Sequence, residues 1–265
     1  MASRLDSLLV SRNLISSREK AKELILSGKV HVNNNICKKP SQQVDENADI
    51  KITGEVLKYV GRGGLKLEKA IEFFKINLEN KVCADIGAST GGFTDCMIQN
   101  GAQKVYAVDV GHDQLAEKLK NESRVVNLEG VNVRYLTPEQ MPQKLDFISV
   151  DVSFISLTLV LPVLKNFLSE KGEMVCLIKP QFEAGKSQVG KKGVVKSQAI
   201  HVEVIKNIID FAVSLGFNVC GLTFSPIKGP EGNIEYLIYL KINDENLNID
   251  IKSFVVSAFN SLKNI

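Results

Sequence analysis

Paired cysteines, long apolar runs and histidines are scarce in this chain of 265 residues. Cys37, Cys83, Cys96, Cys176 and Cys220 are odd in number and scattered, with no Cys-x-x-Cys pair. Neither a disulfide framework nor a thiolate zinc site is expected, no metal is called for, and a reducing cytoplasm suits such cysteines. No stretch approaches the roughly 18 consecutive apolar residues that cross a bilayer. Arg4, Asp6 and Arg12 interrupt the first apolar residues, so no signal peptide is predicted either. What is present, 44% apolar and 24% charged residues, is the composition of an ordinary globular protein. The length allows one sizeable α/β core and a small accessory domain.

Charge is unevenly placed. Residues 1–39 carry eight basic side chains against three acidic ones, although the whole chain is only +3. A cluster of this kind fits a solvated helical surface or a phosphate-bearing partner. Ser3 with Asp6, and Ser16 with Glu19, have capping-box spacing and predict two short helices, the second ended by Gly28. Val30-His31-Val32 then alternates into Asn33-Asn34-Asn35, a turn sequence, with a further strand near Ile50 to Ile52. A helix pair and hairpin with so thin a core is the build of a recognition module.

Tyr59-Val60-Gly61-Arg62-Gly63-Gly64 reads as a glycine-rich junction, placing domains at 1–58 and 65–265 with a linker at 59–64. An amphipathic helix follows directly and holds Lys66 at its start. From residue 81 onward, apolar strands alternate with helical periodicity. Strands are predicted at Val82 to Asp85, Val105 to Val108, Val125 to Leu128, Phe147 to Val150, Met174 to Ile178, Val219 to Phe224 and Tyr236 to Ile242. Helices are predicted near Gly92 to Gln99, Gln114 to Lys120, Ser156 to Phe167 and Ala199 to Leu215. The expectation is a doubly wound, Rossmann-like seven-stranded α/β sheet whose last two strands form a hairpin, with ligands at the carboxyl ends of the strands.

Three chemistries compete for the turn after the first of these strands. A pyrophosphate loop needs glycine at three fixed positions, and Gly87, Ser89 and Gly92 supply only two of them. Gly87-Ala88-Ser89-Thr90-Gly91 also spells a hydrolase nucleophile elbow. That fold places its nucleophile strand mid-sheet and needs a late histidine, whereas only His112 and His201 follow Ser89 and both read as helix starts. The third chemistry is an S-adenosylmethionine loop, with Asp85 and the Gly87 to Gly92 backbone beside the methionine end of the cofactor. Asp109, ending the second strand 24 residues after Asp85, suits the cofactor's ribose hydroxyls, a spacing that dinucleotide folds share.

Asp151 follows the fourth strand, Lys179 the fifth, and Glu235 precedes the last; topology brings them to one crevice within reach of Lys66. An isolated ammonium at the end of a buried strand would be costly. A ribose 2′-hydroxyl becomes a good nucleophile only when its proton is taken. A desolvated lysine facing a second lysine should have its pKa driven below the free value of about 10.4, so Lys179 is the expected base. Asp151 and Glu235 would orient it, and Lys66 would tune it or stabilise the developing alkoxide.

Two stretches carry family resemblances. Arg4-Leu5-Asp6, Ser17-Arg18-Glu19-Lys20-Ala21 and Gly28-Lys29-Val30-His31-Val32-Asn33 resemble the ribosomal-S-four RNA-binding domain. This implies RNA contacts at Arg4, Arg18, Lys20, Lys22 and Lys29, with Arg62 added from the junction. Lys66, Asp151, Lys179 and Glu235 match in order the Lys-Asp-Lys-Glu tetrad of FtsJ-like ribose 2′-O-methyltransferases. The whole chain resembles the TlyA family of ribosomal RNA methyltransferases, also labelled hemolysins. That resemblance implies S-adenosylmethionine held by Asp85, Gly87, Ala88, Ser89, Thr90, Gly91, Gly92, Phe93, Asp109, Val110, Asp151 and Phe154. It also implies ribosomal RNA or ribosomal subunits as partner, a cytidine 2′-hydroxyl as target, no membrane, and a cytoplasmic site of action; it leaves the oligomeric state open. Base methylation is the rival reaction, although Asp151-Val152-Ser153-Phe154 lacks the prolines that hold an amine. A non-catalytic RNA-binding or hemolysin-like protein is the rival class. Gly185 to Gly193, rich in lysine, is expected to be a mobile basic loop over the site.

Overall fold

The computed structural model describes residues 2–12, 14, 15, 18–53 and 58–263, and of Glu19 and Lys20 only the backbone. The Ser16–Glu19 capping box and the Lys20 side chain therefore lie outside what is described. The chain forms two compact units, residues 1–57 and 58–265.

In the first unit, strand β1 (Ala2–Arg4) runs into helix α1 (Leu5–Ser11), followed by α2 (Arg18–Leu26) and four short strands: β2 (Val30–Val32), β3 (Asn35–Cys37), β4 (Gln43–Asp45) and β5 (Ile50–Ile52). Strand β2 lies between β3 and β5, antiparallel to both, and β1 pairs with β4. Asn33 and Asn34 make the β2–β3 turn with φ of 49° and 64°, the left-handed conformation that asparagine tolerates. Leu5, Leu9, Ala21, Ile25 and Val30 fill a small core at 0% exposure. The Ser3–Asp6 capping box does not form. Ser3 belongs to β1 and bonds Glu46, Arg4 occupies the N-cap position, and Asp6 turns inward under two arginines.

The second unit opens with α3 (Gly64–Phe74) and continues through β6 (Val82–Ile86), α4 (Gly92–Gln99), β7 (Lys104–Asp109), α5 (Glu117–Lys120), β8 (Val125–Glu129), β9 (Leu145–Val150), α6 (Leu157–Lys165) and β10 (Leu168–Ile178). It closes with α7 (Pro180–Glu183), α8 (Gln198–Ser214), β11 (Asn218–Phe224), β12 (Tyr236–Lys241) and α9 (Ile251–Ser261). Seven strands form one sheet in the order β11-β12-β10-β9-β6-β7-β8. Strand β12 is antiparallel to both its neighbours, and β10-β9-β6-β7-β8 are parallel.

Period-two alternation builds the two faces. Ala84, Ile148, Met174, Cys176, Ile238 and Leu240 point to the face covered by α6, α8 and α9. Cys83, Phe147, Val175, Leu177 and Leu237 point to the face covered by α3 and α4. Each fully buried large aliphatic or aromatic side chain contributes ~1.5–3 kcal/mol, so the sheet is a stiff platform for whatever projects from its edge. Residues 59–64, predicted as a linker, are packed into this unit. Tyr59 is 1% exposed, and a Cβ on Gly64 would overlap its ring.

Candidate active site

The carboxyl edge of the sheet gathers the polar groups. Where β6 ends, the backbone leaves through Gly87 at φ 86°, and a Cβ there would come within 2.4 Å of the Asp151 carbonyl oxygen, so only glycine fits. The turn continues through Ser89 and Gly91, both left-handed, into α4. Asp109, at the end of β7, accepts Ser89 N at 2.7 Å on one oxygen and Gly111 N at 2.7 Å on the other. Its carboxylate is thereby fixed while each oxygen keeps a lone pair for a ligand. Glu129, ending β8, accepts Leu115 N and Gln114 N, and these bonds hold its pKa down to about 2. The loop carrying Gln114 is anchored by them.

A cavity of about 710 Å³ opens between these ends, lined by Gly87, Ser89, Asp109, Val110, Gln114, Asn132, Arg134, Asp151, Ser153, Phe154 and Phe182 among others. Six of the twelve predicted cofactor positions face it. The rest do not, for identifiable reasons. Asp85 is completely buried: it accepts Thr94 N at 2.8 Å, Thr94 Oγ1 at 2.7 Å and Ser149 Oγ at 3.2 Å, tying α4 to the sheet. Burial pushes its pKa up to about 7, with the charge of Asp151 adding to the rise and the Thr94 bonds opposing it. Ala88 packs with Ala107, Leu115 and Leu119, and Phe93 lies in the core beneath α3. Gly91 and Gly92 allow close approach of Leu119 and of the Gly64 backbone, while Thr90 is exposed away from the cavity lining.

Beside this cavity the four predicted catalytic groups meet. The antiparallel register sets Ile178 opposite Tyr236, so the next pair outward is Lys179 and Glu235. Lys179 Nζ lies 2.5 Å from Asp151 Oδ1 and donates to Ser153 Oγ at 3.0 Å. The first contact is an ion pair without hydrogen-bond alignment, which leaves that Asp151 oxygen without a hydrogen-bond donor. Lys66 Nζ, reaching in from the first turn of α3, lies 3.4 Å from Asp151 Oδ2 and 2.7 Å from Glu235 Oε2. Lys66 and Lys179 are 8% exposed and Glu235 only 1%. Burial disfavours the Lys66 ammonium, but Asp151 and Glu235 outweigh it and hold the pKa above that of an ordinary lysine. Both hydrogen-bond partners of Lys66 are acids, which is why its pKa rises in spite of burial.

Several residues escaped the sequence reading. Asn132 and Arg134 lie on a 3-10 turn just past β8, a place the strand-end rule would have flagged. Phe182 packs against Phe154, ring centroids 4.8 Å apart and planes tilted by 49°, with Lys179 over its face. Phe154 is 89% exposed with φ 64°, so it belongs to the cavity mouth and not to the core. Glu183 caps α6 through Leu157 N at 2.8 Å and Ser156 Oγ at 2.6 Å, joining the loops that carry Asp151 and Lys179; burial raises its pKa.

In the first unit, Arg4 and Arg18 converge on Asp6. Arg4 is bidentate at 3.1 and 2.9 Å, and Arg18 adds a contact at 3.1 Å. These bonds, Arg4's foremost, hold the Asp6 carboxyl far below the ordinary carboxylate range. Both guanidiniums remain about half exposed. Lys22 and Lys29 are exposed on the same unit, and Arg62 is exposed on the second.

A seven-stranded sheet with one antiparallel strand, a glycine turn after its first strand and an acid ending its second defines the fold class of S-adenosylmethionine-dependent methyltransferases. The chain belongs to the FtsJ-like methyltransferase family, whose pattern matches residues 59–242, and it carries an S4 domain over residues 3–50. It is 50% identical over 89% of its length, and 85% of the relative's, to YqxC of Bacillus subtilis (strain 168), provisionally named an rRNA methyltransferase. It is 43% identical, over 90% of its length and 89% of the relative's, to the 16S/23S rRNA (cytidine-2′-O)-methyltransferase TlyA of Mycobacterium tuberculosis (strain ATCC 25618 / H37Rv). A solved structure from Streptococcus thermophilus, provisionally described as a hemolysin, superposes with TM-score 0.76 at 46% identity, covering 99% of this chain and 97% of that one. Among the described residues no helix is long and apolar enough to cross a membrane.

Proposed function

We propose that this chain transfers a methyl group from S-adenosylmethionine to a ribose 2′-hydroxyl of ribosomal RNA in the cytoplasm, cytidine being the nucleoside named for the mycobacterial relative. The observation that carries the reading is the alternating chain of charges Lys179, Asp151, Lys66 and Glu235, with contacts of 2.5, 3.4 and 2.7 Å, at the rim of the cavity. The cavity residues suit the cofactor: its volume lies within the ~300–1,000 Å³ range of small-molecule sites, and the Gly87 turn leaves backbone room that a side chain would fill. Gly87, Ser89, Asp109, Val110, Gln114, Asn132 and Asp151 would hold it. When bound, it supplies an electrophilic methyl carbon on a sulfonium.

Lys179 is the base that takes the hydroxyl proton at Nζ. Asp151 orients that nitrogen and Ser153 gives it a second fixed contact. Lys66 stays cationic between two acids and offsets the charge that develops on the sugar oxygen. Glu235 holds Lys66 in place. At rest two acids and two ammonium groups leave the cluster neutral, which offsets the cost of burying it; Lys179 first gives one proton to solvent and accepts the hydroxyl proton as the free amine. Base assistance of this kind is worth ~10²–10⁴-fold, and alignment of the reacting atoms supplies the rest. The arginine fork of Arg4 and Arg18, with Lys22 and Lys29, is the RNA-gripping surface of the S4 domain, residues 1–58, Lys20 is a further RNA contact expected from its place in the sequence, and Arg62 is another on the methyltransferase domain; such contacts position an RNA without reading its bases.

Incubating the chain with ribosomal subunits and methyl-labelled S-adenosylmethionine, then digesting to nucleosides, tests the reading. Label on ribose is expected. Label on a base would reassign the reaction, and no label on either subunit would leave a binding protein.

A further inference from the structure

A second cavity of the methyltransferase unit, about 240 Å³, lies outside the site described above. Its floor includes Val195, Ile234 and Phe259, and its rim carries Lys196, Lys228 and Lys263. Three segments distant in sequence bring those lysines together: the irregular 193–196 segment, the loop entering β12, and the turn after α9.

Two buried polar side chains hold the first of these segments. Asn233, 1% exposed, donates to the Gly193 carbonyl at 2.8 Å and accepts Val195 N at 3.0 Å. His201, fully buried, has one ring nitrogen 2.9 Å from the Val195 carbonyl and the other 2.6 Å from the Tyr236 hydroxyl. Burying such groups is costly unless they are bonded, so the fold commits two of them to fixing a surface segment whose next residue is the exposed Lys196. The rim is thus set before any ligand arrives, which lowers the ordering cost of binding. The loop that supplies Lys228, Gly232 and Ile234 to the groove leads directly into the reaction centre. Asn233 stands two residues before Glu235, and a Cβ on Gly229, next to Lys228, would lie 2.6 Å from Glu235 Oε1.

We propose that this groove takes an unpaired nucleotide of the RNA substrate flanking the one modified, its base on the apolar floor and its phosphates on the lysine rim. The inference rests on the ribosomal RNA reading above. An apolar face joined to an anionic link is the chemistry that complements the groove, and its volume suits a single base better than a drug-sized ligand. Contacts of this type tolerate any base.

The test is the affinity of the full-length chain for deproteinised ribosomal RNA across a salt series, wild type against Lys196→Glu with Lys263→Glu. RNA binding of the double variant should weaken about tenfold or more. Its log–log salt slope should be shallower by about 1.4, the loss of two single-strand phosphate contacts at ~0.7 each, with S-adenosylmethionine affinity and melting temperature unchanged. Wild-type RNA affinity and slope in the double variant would overturn the groove. So would unchanged RNA affinity with weakened capture of acidic ribosomal proteins. A wild type that binds RNA and cofactor but labels no ribose would sink the methylation reading and leave this comparison standing.

Discussion

Lys66 Nζ sits 2.7 Å from Oε2 of Glu235, and Glu235 is the most deeply buried member of the charged cluster. The pair joins the first helix of the methyltransferase unit to the strand whose hairpin closes the sheet. Replacing Glu235 with Gln leaves Lys66 only Asp151 as counter-charge, so its pKa falls. Breaking a buried pair costs ~3–5 kcal/mol, and Gln, which keeps an acceptor, should fall at the low end. Since the folded-state pKa of Lys66 is raised, its contribution is complete at neutral pH and is lost as pH climbs through that value. Thermal melts of wild type and Glu235→Gln should differ most near neutrality and converge in alkali. A constant gap at all pH values would show that the charge of Lys66 is not involved.

Asp85 gives the opposite handle on pH. Its carboxyl titrates near 7 in the folded chain against about 3.9 when unfolded. The folded state therefore holds an extra proton between those values. Stability from this group is full below about pH 4 and declines as pH rises toward 7, at up to ~1.4 kcal/mol per unit. Asp85→Asn keeps an acceptor for Thr94 and offers a donor to Ser149, so its stability profile should lose that slope. Melting temperatures from pH 4 to 8 check this, and an equal slope in wild type and variant would refute the assignment.

Gly87→Ala tests the turn. The added methyl would meet the Asp151 carbonyl at 2.4 Å with the backbone at φ 86°. A left-handed alanine alone costs ~1–2 kcal/mol, before the clash is relieved by moving the Asp151 segment. S-adenosylmethionine affinity, measured by calorimetry, should fall at least about tenfold, together with the melting temperature. Gly193→Ala, where φ is 72° and no atom lies within 4 Å of the place a methyl would take, should lower stability without touching cofactor affinity.

The sheet was legible because several apolar runs end in a charged residue: Asp109, Asp151 and Lys179 mark the carboxyl edge by chemistry alone. Lys66 and Glu235 were legible because helix periodicity and hairpin spacing carried them to that edge. The direction a side chain takes after its strand ends was not. Asp85 turns inward to Thr94 and Ser149, whereas Asp109 and Asp151 reach the cavity, and no spacing distinguishes them. Arg4 and Arg18 look like independent surface charges until the helix pair brings both onto Asp6. Strands as short as β1 and β4 show too few residues for alternation, and the four-residue α7 shows too few for a helical period. Strand β10 extends back to Leu168 through Ser169, Glu170 and Lys171, polar residues on a stretch where the pairing register with β9 shifts.

Whether Lys179 takes the ribose proton is decided most directly by single-turnover methyl transfer to ribosomal RNA, with wild type and Lys179→Ala compared at saturating cofactor and RNA. The variant should transfer ~10²–10⁴-fold more slowly while binding both ligands as tightly as wild type. Transfer within about threefold of the wild-type rate, with the label still on ribose, would mean that another group removes the proton.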